Sequence, residues 1–234
     1  MAKNTKKRHV NPLQRPAHFV RDLRSKAWWS SEEFPFVTKL ESNFDTIARE
    51  YNRVVASGRM KLHPQAANGP RKPIVNGAWA IHELWSMGWL NHGNAFDAPG
   101  TVRILEALDE IVTHPRGLVY FSILPPHSHV IPHCGPTNTR IRGHLAITAP
   151  EGAAIRVGEE QRRWEVGKCL IFDDSWEHEV WNTSDQWRAV LLFDMWHPDL
   201  NPEQRRHLLS QRKTLEAMAH RRRSGWYPAS QAVG

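Results

Sequence analysis

The chain has 234 residues, a net charge of +7, 14 histidines, 11 tryptophans and two cysteines. This length suits one globular domain with a sizeable core, since such a domain removes roughly 70% of its unfolded surface from water. Two cysteines exclude a disulfide-dense secreted scaffold. No apolar run approaches the about 20 residues of a membrane-spanning helix, and no nucleic-acid-binding signature accompanies the basic residues. We expect a reduced, cytoplasmic protein that binds no nucleic acid and inserts into no membrane.

The first half of the chain predicts a tail followed by helices and loops. Residues 1–17 are basic and contain prolines, which predicts a flexible tail. Apolar side chains at helical spacing predict one helix over Val37–Val54 and another over Val102–Val112. Residues 57–76 are rich in Gly, Pro, Lys and Arg, which predicts a loop. Residues 18–116 are therefore expected to pack as helices and loops against the part that follows.

From residue 117 the pattern changes to short strands. They are predicted at Leu118–Leu124, Arg140–Ala149, Ala153–Val157, Gln161–Trp164, Cys169–Phe172, Glu177–Trp181 and Trp187–Met195. Short strands separated by turn residues are typical of a β-sandwich or barrel, which we place over residues 117–200. Asn201, Pro202 and Gln204 match the start of a capped helix. This helix is predicted to run to about Arg223, within a C-terminal region of residues 201–234.

Two histidines far apart in sequence are candidates for one metal site. His133 precedes a Gly-Pro turn at the start of a predicted strand, and His178 follows Asp173-Asp174-Ser175 at the start of another. Imidazole is a common ligand for iron, zinc and copper. Only a fold that brings two strand ends together, such as a jelly roll, makes them co-ligands. The alternative is two core histidines with backbone partners.

The third ligand of such a site is left open by the sequence. Non-haem iron oxygenases usually combine two histidines with one carboxylate, commonly two residues after the first histidine. Gly135 occupies that position and cannot ligate. Three alternatives remain: water fills the site, another carboxylate such as Asp173, Asp174 or Glu177 fills it, or no iron binds.

Three further donors lie beside the first histidine. His127 and His129 form an HxH pair, which on a strand points both side chains one way and suits a metal. Cys134 is a soft donor next to His133. For the two histidines we favour roles at the surface or around the site, and for Cys134 a packed thiol.

Arginines in the predicted strands indicate an anion in the interior. Arg142 and His144 alternate onto one strand face, and Arg188 heads an almost wholly apolar strand. Burying a lone charge is expensive, and a guanidinium pairs well with a carboxylate. Either these arginines form internal salt bridges, for which Asp194 lies on the same face as Arg188, or they line a pocket for a small dicarboxylate.

The segment from about Val119 to Leu200 resembles the aspartyl/asparaginyl β-hydroxylase family of Fe(II)/2-oxoglutarate-dependent oxygenases. Three strings carry the resemblance: Pro132-His133-x-Gly135-Pro136-Thr137-Asn138-x-Arg140-x-Arg142-x-His144-Leu145, Leu170-Ile171-Phe172-Asp173-Asp174-Ser175-x-Glu177-His178-Glu179-Val180-Trp181, and Trp196-His197-Pro198. The Trp28-Trp29 pair is a weaker shared feature. Residues 57–116 match poorly, and these 234 residues contain nothing like the membrane anchor and repeat-containing helical domain of animal members.

The resemblance implies a fold and a metal centre. The fold would be mainly β with flanking helices, a double-stranded β-helix of the cupin-like jelly-roll barrel type, with residues 117–200 as its catalytic core. His133 and His178 would ligate Fe(II). The family also lacks the third protein ligand, so the resemblance implies Gly135 at that position and water completing the coordination.

The resemblance also implies a co-substrate site. Arg188 would bind the distal carboxylate of 2-oxoglutarate, and Ser122, Arg142 and His144 would contact the same molecule. The reaction would consume O2 and 2-oxoglutarate and would hydroxylate an unactivated carbon of a second substrate.

The substrate stays open among several classes. The leading one is the β-carbon of an aspartyl or asparaginyl unit in a peptide, a free amino acid or a carrier-tethered amino acid. The alternatives are a lipid acyl-chain hydroxylase, a halogenase with chloride in the room left by Gly135, and a non-enzymatic ligand-binding jelly-roll protein. Trp85, Trp89, Asn91 and His92 cluster upstream; they are expected to line the substrate cleft, with core packing as the favoured role of the tryptophans.

Overall fold

The computed structural model of the protein describes residues 11–63, 74–75 and 78–211, with only the backbone at 74–75. Its strands are β1 (Trp28–Trp29), β2 (Lys61–Leu62), β3 (Ile74–Val75), β4 (Ala80–Ser86), β5 (Trp89–Leu90), β6 (Leu118–Leu124), β7 (Ser128–His133), β8 (Arg140–Thr148), β9 (Ala153–Val157), β10 (Glu160–Arg162), β11 (Cys169–Phe172), β12 (His178–Asn182) and β13 (Arg188–Trp196). Its helices are α1 (Val37–Ser42), α2 (Phe44–Ala56), α3 (His92–Ala95), α4 (Pro99–Glu106), α5 (Asp109–Val112) and α6 (Pro202–Ser210).

The strands form two antiparallel sheets that face each other. The larger sheet has the order β1-β11-β8-β13-β6-β4-β2, with β5 paired to β4, and the smaller has the order β10-β9-β12-β7-β3. Apolar side chains of both sheets, such as Val190 and Ile155, share one buried cluster between them. The predicted mainly β jelly-roll fold with flanking helices is confirmed. Within the described residues no paired strands join the two sheets into a closed cylinder.

The larger sheet is covered on both faces. In β8, Ile141 and Leu145 belong to a cluster on the helical side, whereas Ala146 belongs to the cluster between the sheets. Arg142 and His144 share the face of Ala146, as the alternation predicted, because successive strand residues point to opposite faces. The interior between the sheets therefore receives the polar residues of β8.

The helices pack on the outer face of the larger sheet. Tyr51 of α2 lies edge-on to Phe121 of β6, with ring centroids 5.7 Å apart. The buried carboxylate of Glu50 accepts hydrogen bonds from the first backbone amides of α4, at Gly100 (2.8 Å) and Thr101 (2.7 Å). This contact fixes α4 against α2, since the first amides of a helix have no partner within the helix.

Both predicted helices of the first half are interrupted. The first ends at Ser42 and resumes at Phe44, because the Asn43 side-chain amide donates to the Lys39 carbonyl (2.8 Å) and its backbone leaves the helical region. The second begins earlier than predicted, at Pro99, and is broken after Glu106, because the backbone of Leu108 is not helical (φ −128°, ψ 78°). The helical spacing of apolar residues continues across both breaks, so the sequence pattern did not predict them.

Residues 11–17 are not the flexible tail that the sequence predicted. Gln14 is buried, and its side-chain amide donates to Asp173 Oδ2 (3.2 Å) and Ser175 Oγ (2.9 Å). The backbone amide of Arg15 donates to the Ser175 carbonyl (3.2 Å), and that of Glu177 donates to the Leu13 carbonyl (2.5 Å). The segment is thus fixed across the loop that precedes β12.

At the other end of the chain, the capping box of α6 is confirmed. The Asn201 side chain accepts from the Gln204 amide, and Gln204 returns a hydrogen bond to the Asn201 amide, both at 2.9 Å. The predicted extension to Arg223 lies outside the described residues. No helix in the described ranges is long and apolar enough to span a bilayer.

His114 gives the fold a sensitivity to acid. Its Nε2 donates to the Thr139 carbonyl (3.1 Å) and its Nδ1 accepts from the Arg116 amide (3.1 Å), which requires the neutral ring. Burial, followed by the nearby Arg140, lowers the pKa of His114 to about 3. Because the unfolded chain binds the proton more tightly, the stability that this depressed pKa contributes is present above pH 6.5 and is lost as the pH falls toward 3.

We therefore predict that His114→Gln lowers the pH dependence of folding. Between pH 6 and 4 the free energy of unfolding of the wild-type chain should fall by about 1.4 kcal/mol per pH unit more than that of the variant. Urea unfolding at pH 7, 6, 5 and 4 measures both slopes. Equal slopes would contradict the assignment.

Candidate active site

Pairing between β7 and β12 brings the two predicted metal ligands together. His178 is the register partner of His133, and their ring centroids are 4.2 Å apart. Each Nδ1 faces a backbone carbonyl, that of Ile131 (2.8 Å) for His133 and that of Trp176 (2.9 Å) for His178. Because a carbonyl only accepts, both Nδ1 atoms carry a proton, and each Nε2 has a lone pair available for a metal.

The surroundings keep both rings uncharged. Burial lowers the pKa of His133. Burial and then the neighbouring His133 lower the pKa of His178 to about 3. Neutral imidazole is the form that binds a metal ion. The pair therefore has the protonation state, the tautomer and the proximity of two co-ligands.

The position two residues after His133 has no room for a side chain. A Cβ built on Gly135 would lie 2.5 Å from Asp174 Cγ. The Asp174 carboxylate therefore fills the space that a carboxylate at position 135 would take in a two-histidine, one-carboxylate site. Within the described ranges, no group of three or more His, Cys, Asp and Glu side chains could hold a metal ion.

The other candidate carboxylates face other partners. Asp173 accepts from Gln14 and from the Ser175 amide (2.9 Å), and burial raises its pKa to about 8, so it is mostly protonated at neutral pH. Glu177 pairs with Arg15 (2.5 Å). The charge of Asp174 acts on both imidazoles, but its Oδ2 is held by Arg140 Nη2 at 2.7 Å.

This packing predicts the effect of a small change at Gly135. Gly135→Ala should lower the free energy of unfolding by about 1–3 kcal/mol, since overfilling a packed interior costs this much, and it should weaken metal binding because it displaces Asp174 beside His133. Thermal unfolding and a metal titration measure both effects. Gly93→Ala is the matched control, since its Cβ would meet only Asn91 Oδ1 at 3.6 Å; equal effects of the two substitutions would refute the account.

Two arginines and two aspartates pair with one another in a charge network beside the two histidines. Arg142 Nε lies 2.7 Å from Asp194 Oδ1, and its Nη1 lies 3.2 Å from Asp174 Oδ2. Arg140 Nη1 lies 2.8 Å from Asp194 Oδ2 and bridges to Asp174 through Nη2. Burial alone would raise the pKa of Asp174, but Arg140 and Arg142 outweigh it and hold this pKa below its usual range. The network is ionised and neutral overall.

The salt-bridge alternative therefore holds for Arg142 but not for Arg188. Asp194 pairs with Arg140 and Arg142 across β8 and β13, and it does not pair with Arg188. All three nitrogens of the Arg142 guanidinium group already lie near carboxylate oxygens. Its predicted contact with the co-substrate stays a prediction.

Arg188 carries a buried charge that no described residue neutralises. It is 3% exposed, and its Nε and Nη1 have no hydrogen-bond partner among the described residues. Its guanidinium lies 4.9 Å from the centroid of the Trp164 ring. Burial lowers its pKa to about 10, so it stays protonated at neutral pH. An unpaired buried cation of this kind indicates an anionic ligand.

His144 and Ser122 add two donors to the same interior. Trp164 Nε1 donates to His144 Nδ1 (3.3 Å), so the proton of the neutral ring is on Nε2, which is buried without a partner among the described residues. Ser122 Oγ accepts from Trp79 Nε1 (3.0 Å) and retains its own proton to donate.

Strand register places these groups in one row. Along β13, Arg188 is followed by Val190, opposite Ser122, by Leu192, opposite His144, and by Asp194, opposite Arg142. Residues spaced by two share one strand face. The row therefore runs from the unpaired Arg188 to the charge network beside the His133–His178 pair.

The sequence did not reveal the aromatic walls of this interior. The His63 ring is stacked on the Trp79 ring, with centroids 3.8 Å apart and planes 2° apart. Burial, then the charges of Arg142 and His133, lower the pKa of His63 to about 4, so the ring is neutral at pH 7. Residues 57–76 had been interpreted as a loop, and a loop has no periodicity that assigns a side chain to the interior. The one signal in the sequence was the residue type of His63, an aromatic ring that can stack on a tryptophan.

The remaining donors lie apart from the pair. His127 Nε2 faces Asp185 (2.8 Å) at an exposed position, and His129 Nε2 faces Glu179 (2.7 Å) at a partly exposed one. Cys134 Sγ lies 3.9 Å from the Leu13 carbonyl. Upstream, Trp85 is buried in the core, as favoured, whereas Trp89 is 56% exposed.

The chain belongs to the aspartyl/asparaginyl β-hydroxylase family, whose model matches residues 41–198. The match begins well upstream of the Val119–Leu200 segment that carried the sequence resemblance, and it includes residues 57–116, which had been expected to match poorly. The predicted family is confirmed.

Named relatives agree with this assignment. The aspartyl/asparaginyl beta-hydroxylase of Mus musculus is 40% identical over 199 residues, which is 83% of this chain and 26% of the relative. The aspartate beta-hydroxylase domain-containing protein 2 of Homo sapiens is 32% identical over 202 residues, 84% of this chain and 54% of the relative. The chain spans about a quarter of the length of the mouse relative.

Solved structures show a distant likeness. A Pseudomonas putida prolyl-4-hydroxylase has a TM-score of 0.44 at 14% identity, covering 74% of this chain and 94% of that chain. A predicted oxalate decarboxylase of Thermotoga maritima has a TM-score of 0.35 at 14% identity, covering 52% of this chain and 83% of that chain.

Proposed function

We propose that this protein is an Fe(II)- and 2-oxoglutarate-dependent dioxygenase. It hydroxylates the β-carbon of an aspartyl or asparaginyl unit in a peptide, a free amino acid or a carrier-tethered amino acid. The observation that carries the proposal is the buried, unpaired Arg188, in the same interior as the His133–His178 pair. Membership of a hydroxylase family supports the reaction class.

The donor set fits a ferrous ion. His133 and His178 would hold Fe(II) through their Nε2 atoms, while their Nδ1–H groups stay bonded to backbone carbonyls and fix the ring planes. Bound iron supplies the oxidative chemistry, in which the substrate, O2 and 2-oxoglutarate give the hydroxylated product, succinate and CO2. Two protein ligands leave several coordination positions for the co-substrates.

The interior also fits 2-oxoglutarate. Arg188 would donate from its two unpaired nitrogens to the distal carboxylate, and the Ser122 hydroxyl and His144 Nε2–H would donate to the same molecule. Trp164 holds the tautomer of His144, and Trp79 holds the Ser122 hydroxyl. These indoles also exclude water from the interior and strengthen each charge interaction within it.

Charge explains why the ligand should be a dianion. The network of Arg140, Arg142, Asp174 and Asp194 is neutral, and both metal-binding imidazoles are uncharged. The interior is therefore left with the charge of Arg188 at one end of the row and that of the metal ion at the other. A dicarboxylate offers one anionic group to each end, whereas a monocarboxylate would leave one of them uncompensated.

Turnover tests this proposal. The protein is loaded with Fe(II) and 2-oxoglutarate under argon, mixed with aspartyl- or asparaginyl-containing peptides, amino acids or carrier-bound amino acids, and then exposed to air. We expect succinate and a product heavier by one oxygen atom, and neither after the metal is removed with a chelator. Failure of every candidate to raise succinate above the substrate-free background would count against the proposed substrate class.

The structure argues against the halogenase alternative. That interpretation depended on room for chloride at Gly135, and the anionic Asp174 carboxylate fills this space. A chloride there would face a carboxylate of like charge. No described contact favours the lipid or non-enzymatic alternatives.

A further inference from the structure

A second cavity lies outside the interior of the two sheets. It is a groove of about 330 Å³ between residues 16–20, the turn that holds Thr137 and Thr139, and α6. We call it the α6 groove. Its basic lining residues are His18, Arg116 and His207. None of the residues assigned above to the metal or the co-substrate lines it.

Two walls of the α6 groove, residues 16–20 and the turn of residues 136–139, are fixed to each other. The Asn138 side chain exchanges two hydrogen bonds of 2.8 Å with the backbone of Val20. The His18 amide donates to the Pro136 carbonyl (2.9 Å), and the hydroxyls of Thr137 and Thr139 are 2.9 Å apart. A site that is formed in advance loses little affinity to ordering when a ligand binds. This arrangement also gives a role to the Pro136-Thr137-Asn138 string, which the metal site does not use.

Arg116 gives the lining of the groove a positive charge. Its described lining residues include no Asp or Glu, and no described carboxylate lies within ion-pair distance of the Arg116 guanidinium. Burial and then the nearby Arg140 lower the pKa of Arg116, and burial and then Arg116 lower that of His18. A bound anion would oppose both effects, because it favours the charged form of each group.

Helix α6 carries another arginine without an ion-pair partner in the described part of the chain, Arg205. Arg205 Nε is buried without a partner among the described residues, and its guanidinium lies 5.4 Å from the Trp196 ring centroid. The two terminal sequences contain few acidic residues. Residues 1–10 contain four Lys or Arg and no acid, and residues 212–234 contain five Lys or Arg and one acid, Glu216. Among the described residues, neither Arg116 nor Arg205 has a carboxylate within ion-pair distance.

We propose that the α6 groove binds a small organic anion with at least two negative charges, of the phosphate-ester or polycarboxylate class. Its volume is near the lower limit of the roughly 300–1,000 Å³ of small-molecule sites. Arginine and histidine around a polar wall suit oxyanions. This site is independent of the proposed dioxygenase activity.

Anion-dependent thermal unfolding tests the proposal, with inorganic phosphate and citrate as probes at constant ionic strength and NaCl as the baseline. The experiment uses the Arg188→Met variant, so that the interior between the sheets does not report. We expect a saturable rise in Tm with at least one probe. Arg116→Gln added to this variant should weaken the apparent affinity at least tenfold. Arg59→Gln is the control, since Arg59 pairs with Asp97 (2.9 Å) in another part of the molecule.

Each outcome decides the question. A response to phosphate alone or citrate alone supports the site and selects the ligand class. A response no larger than that to NaCl, or one that is equal with and without Arg116, overturns it. If Arg116→Gln does not fold, His18→Gln and His207→Gln serve in its place, and unchanged affinity in both overturns it as well.

Discussion

Replacing either His133 or His178 by alanine should abolish Fe(II) binding and 2-oxoglutarate turnover. Each ring supplies one of two imidazoles, and the described residues contain no third side chain that completes a metal-binding group with them. Loss of a residue around a metal ligand typically costs 10–100-fold in affinity, so loss of a ligand itself should cost roughly 100-fold or more. Anaerobic equilibrium dialysis with Fe(II) and succinate release in air measure the two effects.

Matched controls come from the HxH pair. His127→Ala removes an exposed imidazole that faces Asp185, and His129→Ala removes a partly exposed one that faces Glu179. Both variants should bind iron and turn over 2-oxoglutarate like the wild type. Normal turnover by the His133 or His178 variant, or loss of iron in a control, would show that the ligands are wrongly assigned.

Replacing Arg188 by methionine should move activity and stability in opposite directions. The variant loses the charged partner of the co-substrate, and removing one member of a buried charge pair costs about 2–5 kcal/mol in binding, which corresponds to about 30-fold to several thousand-fold in the KM for 2-oxoglutarate. The ligand-free protein should gain stability, because the variant replaces an unpaired buried charge with an apolar side chain. Its Tm should therefore rise while its affinity falls.

Arg142→Met is the matched control, and it should lower the free energy of unfolding instead of raising it. It leaves Asp194 and Asp174 partly unpaired in the interior, which costs about 3–5 kcal/mol when a buried pair is broken. Urea unfolding of the ligand-free proteins and calorimetric titration with 2-oxoglutarate separate the two arginines. An Arg188 variant that binds 2-oxoglutarate with wild-type affinity would remove the basis of the proposed co-substrate site.

The sequence predicted the local features that one strand or one cap determines. The alternation of β8 assigned Arg142 and His144 to the interior face, and Asn201 with Gln204 located the start of α6. Long motif strings identified the family. Each of these signals is carried by neighbours in sequence, so no tertiary contact was needed to interpret it.

The sequence did not predict features that depend on contacts between distant segments. β7 was missed because Pro132 interrupts its pattern, although the structure tolerates this proline at an exposed position. The sequence left open whether Asp194 pairs with Arg188, since residues on the same face of one strand are not necessarily in contact; in the structure Asp194 pairs with Arg140 and Arg142. The filling of the space at Gly135 by Asp174 depends on how the loop before β12 folds back, and spacing along the chain does not encode it.

The N-terminal segment that crosses the loop before β12 has a practical consequence for shortened versions of the protein. Removal of roughly the first 18 residues should leave the folded sheets intact. It would, however, remove the partners of Asp173, Ser175 and Glu177. The loop that presents His178 would then sample several positions. With His178 as a proposed metal ligand, we expect such a preparation to be compact yet to bind less iron, a deficiency easily mistaken for a fault of purification.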